Sequence, residues 1–325
     1  MAPKEQAKTR LNPEAQLQPV IILTGPTAVG KSALALTLAE RFQGEIISVD
    51  SRQVYIGMDI ATAKPPPAEL RRVPHHLIDI VQPDQEFTLP QFQTLAYDLI
   101  DQIAARQHLP LVVGGTIMYI NALAEGWQIP QVEPDLALRE SLEGEAQVHG
   151  SAALFAELTR LDPVAAARIA PTNVRRVIRA LEVCRKGQLF SIAMGKKQPP
   201  YRFLKLGLTL ERDALYARAD ARINQMLANG LVAEVERLVA AGYAPNLPSM
   251  SGLGYSQIGA YLRGELTLAQ ATEQMKFATH RYIRHQYTWF RRDPEIQWLD
   301  AAAPNLEAQA GKLVQEFCNY HFSVN

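Results

Sequence analysis

The sequence predicts an α/β protein, with a P-loop parallel-sheet core and a helical insertion domain. Three observations carry this reading. First, a β-rich run, Val20–Thr24, enters the string Gly25-Pro26-Thr27-Ala28-Val29-Gly30-Lys31-Ser32 and leaves it as an amphipathic helix, after which a second apolar run, Glu45–Val49, follows. Strand–helix–strand within about thirty residues is the signature of a βαβ unit in a parallel sheet. Second, another apolar run, Leu111–Val113, ends on Gly114-Gly115-Thr116. Third, the texture changes after Gly126: residues 127–200 show helical periodicity and no clear strand, and Tyr201–Leu210 returns to a strand pattern.

Taken in order, residues 1–18 are polar and predict a loose tail without the apolar stretch of a signal peptide. Lys31–Phe42 places Leu34, Leu38 and Phe42 on one helical face, with Gly44 as the stop. Lys64-Pro65-Pro66-Pro67 predicts an exposed loop, His76–Val81 a strand, and Phe92, Leu95, Leu99 and Ile103 a helix. Within 127–200 the best helices are Ser151–Leu161 and Thr172–Cys184, ending in the turn-rich run Met194–Pro200. Helical patterns follow at Ala214–Ala228, Val232–Ala241 and Leu268–Phe290. Residues 19–126 and 201–325 are thus expected to form one core, interrupted by the insertion 127–200.

Composition narrows the class. Apolar residues make up 47% of 325, enough for a full hydrophobic core. The 33 basic and 33 acidic residues cancel, so any nucleic-acid surface must come from local clusters. Cys184 and Cys318 are the two cysteines, too few for a disulfide framework or a cysteine zinc site. The longest early apolar run is far too short to span a membrane, and a cytoplasmic protein is expected.

Gly25–Ser32 fits G-x-x-x-x-G-K-[ST] in its required context, strand before and helix after. Glycines let backbone N–H groups converge on one oxyanion cluster, and the following helix adds its positive end. Lys31 is the point charge for a terminal phosphate, and Ser32 is a natural magnesium ligand. The loop alone announces a diphosphate or triphosphate, not an NTPase. An NTPase usually adds an apolar strand ending in a magnesium-binding Asp. Leu111–Val113 instead runs into Gly-Gly-Thr, and the stretch before Asp79 is short. Asp50 is better placed, at the end of the run Glu45–Val49, where open α/β sheets position their ligands. A carboxylate there can take a proton from a bound nucleophile, or it can be an ordinary turn Asp.

Two basic clusters stand out. Arg175, Arg176 and Arg179 share one side of a helix, which suits a phosphate-binding face or a plain solvated one. Lys276, His280, Arg281, Arg284 and His285 are interleaved with Tyr282, Tyr287, Trp289 and Phe290, a mixture fit for RNA or for an amphipathic helix. Arg218 and Arg222 lie four apart on a third helix.

Together these strings resemble the tRNA dimethylallyltransferase (tRNA isopentenyltransferase) family, bacterial type. The resemblance runs from about Pro19 to Arg292. It is carried by Gly25–Ser32, Ile47–Tyr55, Gly57–Pro65, Pro74–Asp79, Val113–Thr116, Arg176–Val183 and Thr288–Arg291. It implies transfer of a dimethylallyl group from dimethylallyl diphosphate to the exocyclic amine of the adenosine just after the anticodon, assisted by Mg2+. The implied partner is tRNA, gripped through its anticodon stem-loop by the insertion, with the protein acting as a monomer. By the same resemblance Asp50 is the general base, and Thr116 and Gln53 contact tRNA beside the flipped adenine. Gly25, Pro26, Thr27, Ala28, Val29, Gly30, Lys31 and Ser32 hold the diphosphate, with Arg222 or Arg218 as the contacting arginine. Catalytic roles fall to Asp50, Thr116 and Arg222. The tRNA-binding set is Asp50, Ser51, Arg52, Gln53, Thr116, Arg175, Arg176, Val177, Ile178, Arg179, Arg281 and Arg284. The chain departs from the family pattern at Arg175, commonly Gln, and at His280 and His285, where the family carries arginines. A small-molecule phosphotransferase and a non-enzymatic RNA-binding protein are the rival readings of the residues alone.

Overall fold

The computed structural model describes residues 17–130 and 132–322. The first half of the core runs β1 (Gln18–Thr24), α1 (Lys31–Arg41), β2 (Gly44–Val49), α2 (Pro67–Arg72), β3 (His75–His76), α3 (Leu89–Ala105), β4 (Leu109–Gly114) and α4 (Ile117–Ala124). Next come β5 (Trp127–Gln128), α5 (Leu136–His149), α6 (Ser151–Leu161), α7 (Pro163–Ala166), α8 (Val174–Arg185), α9 (Phe190–Ala193) and β6 (Gly195–Lys196). The chain closes with β7 (Tyr201–Thr209), α10 (Arg212–Ala228), α11 (Leu231–Ala240), α12 (Tyr255–Leu262), α13 (Leu268–Phe290), β8 (Gln297–Asp300) and α14 (Leu306–Phe322).

Six strands form one parallel sheet in the order β3-β2-β4-β1-β7-β8. The strand that feeds the P-loop is therefore central, with Ile21 opposite Leu111 of β4 and Leu204 of β7. Val20, Ile21, Ile22 and Leu23 are wholly buried. A parallel strand covered on both faces needs apolar side chains on both, which is why β1 reads as an unbroken apolar run. Leu34 and Leu38 of α1, Leu215 of α10, Ile283 of α13 and Val314 of α14 close the core around the sheet. A second cluster, built on Met58, Leu231, Tyr255 and Met275, packs α10–α13 against the segment after β2.

The chain divides into two compact units, residues up to 120 with those from 200 onward, and residues 121–199. The second unit is a bundle of α5–α9 around Leu142, Leu154, Leu158 and Leu181. It also holds a short antiparallel ribbon, Trp127 opposite Lys196 and Gln128 opposite Gly195, where the sequence shows no clear strand. Its boundary falls at 121, inside α4, rather than at 127. Of the tail expected over 1–18, residues 1–16 lie outside the described residues, and Gln18 already pairs with Tyr201 in the sheet.

Several local expectations change. Gly44 does not close α1. Gln43 takes the left-handed conformation (φ 50°), and Gly44 opens β2, where a Cβ would meet Leu111 Cδ1 at 2.3 Å. The strand expected over His76–Val81 stops after two residues, since Leu77 and Asp79 both have positive φ. In α3 the buried stripe is Phe92, Ala96, Ile100 and Ile103, leaving Leu95 exposed. Lys64 is not a free loop residue: its ammonium pairs with Asp59 and Asp79 and donates to the Tyr55 carbonyl at 2.6 Å. Among the described residues no helix is long and apolar enough to cross a membrane.

Candidate active site

The P-loop bends where its residues allow it. Gly25 (φ 137°) sits so close to β7 that a Cβ would lie 2.6 Å from the Leu208 carbonyl oxygen. Gly30 (φ 108°) turns the chain into α1. Val29 points into the core. The loop opens into a cleft of about 690 Å³, lined among others by Thr27, Lys31, Ser32, Asp50, Thr116 and Arg222.

Lys31 Nζ donates to the carbonyls of Gly25 at 3.0 Å and Pro26 at 2.8 Å. Burial and then the Arg222 guanidinium push its pKa down to about 7, against the opposing pull of Asp50. Arg222 itself is held below its usual value by burial, with Asp50 again opposing. Two desolvated cations thus line one cleft with the Asp50 carboxylate. Such a site is under-neutralised and favours an added anion. Arg218, one turn away on α10, lines the same cleft from its exposed rim.

Asp50 follows β2 directly, and its Oδ1 accepts the Arg52 N–H at 2.8 Å. Next to it Gly114 packs on β2 so tightly that a Cβ would lie 2.1 Å from the Val49 carbonyl oxygen. This close approach brings the Gly114-Gly115-Thr116 turn beside Asp50. There Thr116 N–H donates to Val49 O at 3.2 Å, and Thr116 Oγ1 accepts the Ser51 N–H at 3.1 Å.

The remaining residues expected in the site divide. Gln53 lines the cleft, but its amide donates to the Thr62 and Ala63 carbonyls and its Oε1 accepts from Ser48, so it braces the cleft wall. The Arg52 guanidinium bonds to the Pro248 and Ser249 carbonyls and to Ser251. Arg281 and Arg284 are exposed on α13, and Arg284 donates to the Tyr216 hydroxyl. In α8 the shared basic face splits. Arg175 and Arg176 are exposed, while Arg179 pairs with buried Glu182 and donates to the Pro130 and Val132 carbonyls. Val177 and Ile178, expected within the tRNA-binding segment, are 1% and 3% exposed and belong to the core of the helical unit, so a direct RNA contact by their side chains is excluded in this conformation. His280 stacks on Tyr216 and bonds Asp220 at 2.8 Å. His285 accepts from the Trp289 indole.

Sequence reasoning missed Gln286. It is 1% exposed; its Oε1 accepts the Thr27 N–H at 2.9 Å and its Nε2 donates to the Gly115 carbonyl at 3.0 Å. Met275, Thr279, Tyr282 and Gln286 all line the cleft. Their spacing of four, three and four is a helical stripe, the one signal that could have found it.

Comparison with known proteins places the chain in a family. Residues 53–293 match the family model for IPP transferase. A tRNA dimethylallyltransferase of Roseiflexus sp. is 51% identical over 300 residues, 92% of this chain and 98% of the relative. One of Dehalococcoides mccartyi is 50% identical over 289 residues, 88% and 89% of the two chains. The crystal structure of the full-length tRNA isopentenylpyrophosphate transferase of Bacillus halodurans superposes with a TM-score of 0.72 at 38% identity, covering 95% of this chain and 99% of that one. A eukaryotic dimethylallyltransferase acting on tRNA gives 0.77 at 26% identity, covering 93% and 80%. With a family model over most of its length and relatives at half identity, the chain belongs to the tRNA dimethylallyltransferase (IPP transferase) family.

Proposed function

We propose a division of labour in the cleft for the family's reaction, transfer of the dimethylallyl group from dimethylallyl diphosphate to the exocyclic amine of the adenosine beside the tRNA anticodon. One observation carries it: Lys31 and Arg222, both held below their usual pKa by burial, line the same cleft as the Asp50 carboxylate.

The adenine amine is a weak nucleophile, because its lone pair is delocalised into the ring. An allylic carbon compensates, since it carries positive charge as its bond to oxygen breaks. The enzyme's main task is to stabilise the departing diphosphate. The P-loop N–H groups, Lys31 and Arg222 do this in a site already short of negative charge, with Arg218 at the rim. As the new C–N bond forms and the C–O bond breaks, Asp50 takes the amine proton. Thr116, fixed by Ser51 and Val49, shapes the adenine side of the cleft. The base leaves its stack to enter, at a cost of roughly a few kcal/mol.

Ser32 lies at the first turn of α1 and lines the cleft. Among the described residues no group of three or more His, Cys, Asp or Glu is placed to hold a metal ion alone. Magnesium, which keeps waters and substrate oxygens in its shell, fits the Ser32 hydroxyl with the diphosphate oxygens. Bound there, it would add Lewis-acid neutralisation of the leaving group.

The helical unit, 121–199, contributes contacts to the anticodon stem through exposed Arg175 and Arg176, with Arg281 and Arg284 of α13 as further phosphate contacts. The enzyme acts as a monomer in the cytoplasm. Incubation with labelled dimethylallyl diphosphate, magnesium and unmodified tRNA tests the reading. Label in tRNA supports it; ATP turnover without label contradicts it in favour of phosphoryl transfer.

A further inference from the structure

Tyr282 lies on α13 between Thr279 and Gln286, on the face that lines the cleft. Gln286 fixes this face. It ties α13 at once to the P-loop at Thr27 and to the turn before Thr116 at Gly115. Tyr282 is one turn away and shares that anchorage.

Of the two tyrosines that line the cleft, Tyr255 donates to Glu234, whereas the hydroxyl of Tyr282 has no hydrogen-bond partner among the described residues. Burial, then the charge of Asp50, push its pKa up to about 12, so it is a neutral phenol and a donor at physiological pH. Tyr282 lines one cleft with Asp50, Arg52, Gln53, Lys31 and Arg222. The Lys31 ammonium lies at the P-loop, bonded to the Gly25 and Pro26 carbonyls. The Arg52 guanidinium and the Gln53 amide are already bonded to protein carbonyls. Tyr282 is left as an unbonded O–H donor in the cleft that holds the Asp50 carboxylate.

Adenine presents the complementary pair. Its amine N–H is a donor, and the ring nitrogen on either side of it is an acceptor. Guanine places a carbonyl oxygen where adenine has the amine, and so would set an acceptor against Asp50. Resting on the reaction assigned above, we propose that Tyr282 donates to the ring nitrogen beside the reacting amine, so that Asp50 and Tyr282 together read one edge of adenine. Tyr282 is then a base-selecting residue that also holds the amine toward the allylic carbon. A site built to bond a particular base atom discriminates strongly against a base lacking it.

The test is a cycle between Tyr282→Phe and the base, with the full-length enzyme. Anticodon stem-loops carry adenine, 1-deazaadenine or 7-deazaadenine at the target position. Each is measured for transfer from dimethylallyl diphosphate and, by fluorescence anisotropy, for binding. Tyr282→Phe should lose about tenfold to a hundredfold in kcat/KM for the adenine stem-loop. Its KM for dimethylallyl diphosphate and its Tm should hold. One of the two deaza bases should weaken the wild type by a similar factor and add nothing further in Tyr282→Phe. Wild-type rates in the Phe variant, deaza penalties equal in both enzymes, or a clear loss of Tm would overturn the assignment. The binding arm carries the same cycle without chemistry, so failure of the contact is read separately from failure of the reaction.

Discussion

Gln286 and Thr27 are 259 residues apart in sequence, yet the Gln286 side-chain oxygen accepts the Thr27 backbone N–H at 2.9 Å. The other end of the same amide holds the Gly115 carbonyl at 3.0 Å, and a Cβ on Gly115 would lie 2.4 Å from that nitrogen. One buried amide therefore sets the spacing between the P-loop and the turn that carries Thr116. Gln286→Ala should leave Thr27 N–H and Gly115 C=O without partners and lower stability by about 1–3 kcal/mol. Turnover should fall with it, with KM rising for dimethylallyl diphosphate. Denaturant melts and steady-state kinetics check both; a variant at wild-type values in both would remove Gln286 from the framework.

Lys31 makes diphosphate binding depend on pH. Its pKa in the free protein is lowered to about 7, below that of an exposed lysine, by burial and by Arg222. An incoming diphosphate favours the charged form. Above pH 7, then, binding must take up a proton at Lys31, and affinity should fall as pH rises from about 7 to 9. Calorimetry in buffers of different ionisation enthalpy should show this uptake. Lys31→Gln should bind more weakly and lose the Lys31 share of the proton linkage. Identical linkage in both proteins would mean that Lys31 does not titrate on binding.

Glu45, at the start of β2, is 3% exposed and accepts from Arg106, His76 and His108. These partners outweigh burial and hold its pKa down at about 2, from an ordinary 4.5. The depressed carboxylate contributes stability that is complete above about pH 4.5 and is lost as pH falls toward 2. Glu45→Gln should cost about 2–3 kcal/mol at pH 7. Thermal melts across pH 3–7 should show the gap between the two proteins narrowing on acidification. A gap independent of pH would assign the loss to packing alone.

The arginines of α8 should separate in behaviour. Arg179 anchors the helical unit through Glu182 and two carbonyls, so Arg179→Ala should lower Tm. Arg175→Ala and Arg176→Ala should leave Tm unchanged and reduce the salt dependence of tRNA binding by about one counterion each. Electrophoretic or anisotropy titrations at several salt concentrations check this.

These results mark what could be read from the sequence. The P-loop, β1, β2 and the place of Asp50 at a strand end were legible because each lies in one short segment whose pattern is set locally: a doubly buried strand, a glycine-dependent turn, a strand end. Residues whose role depends on a distant partner were not. Nothing near Arg179 announces the carbonyls of Pro130 and Val132, and nothing near Gln286 announces Thr27. The strand pattern over His76–Val81 hides its own end, because Leu77, a residue type that seldom takes positive φ, turns left-handed there, and Asp79 does so again. In α3, tertiary packing chose Ala96 and Ile100 over the larger Leu95. Family resemblance supplied the roles of Asp50, Thr116 and Arg222; their shared lining of one cleft is a structural finding.

In the proposed reaction Asp50 takes the amine proton while Lys31 and Arg222 hold the leaving diphosphate. Single-turnover transfer of labelled dimethylallyl to tRNA by Asp50→Ala tests it most directly, with tRNA affinity measured alongside. The chemical rate should fall by on the order of a hundredfold or more, with tRNA binding retained. An unchanged single-turnover rate would contradict it.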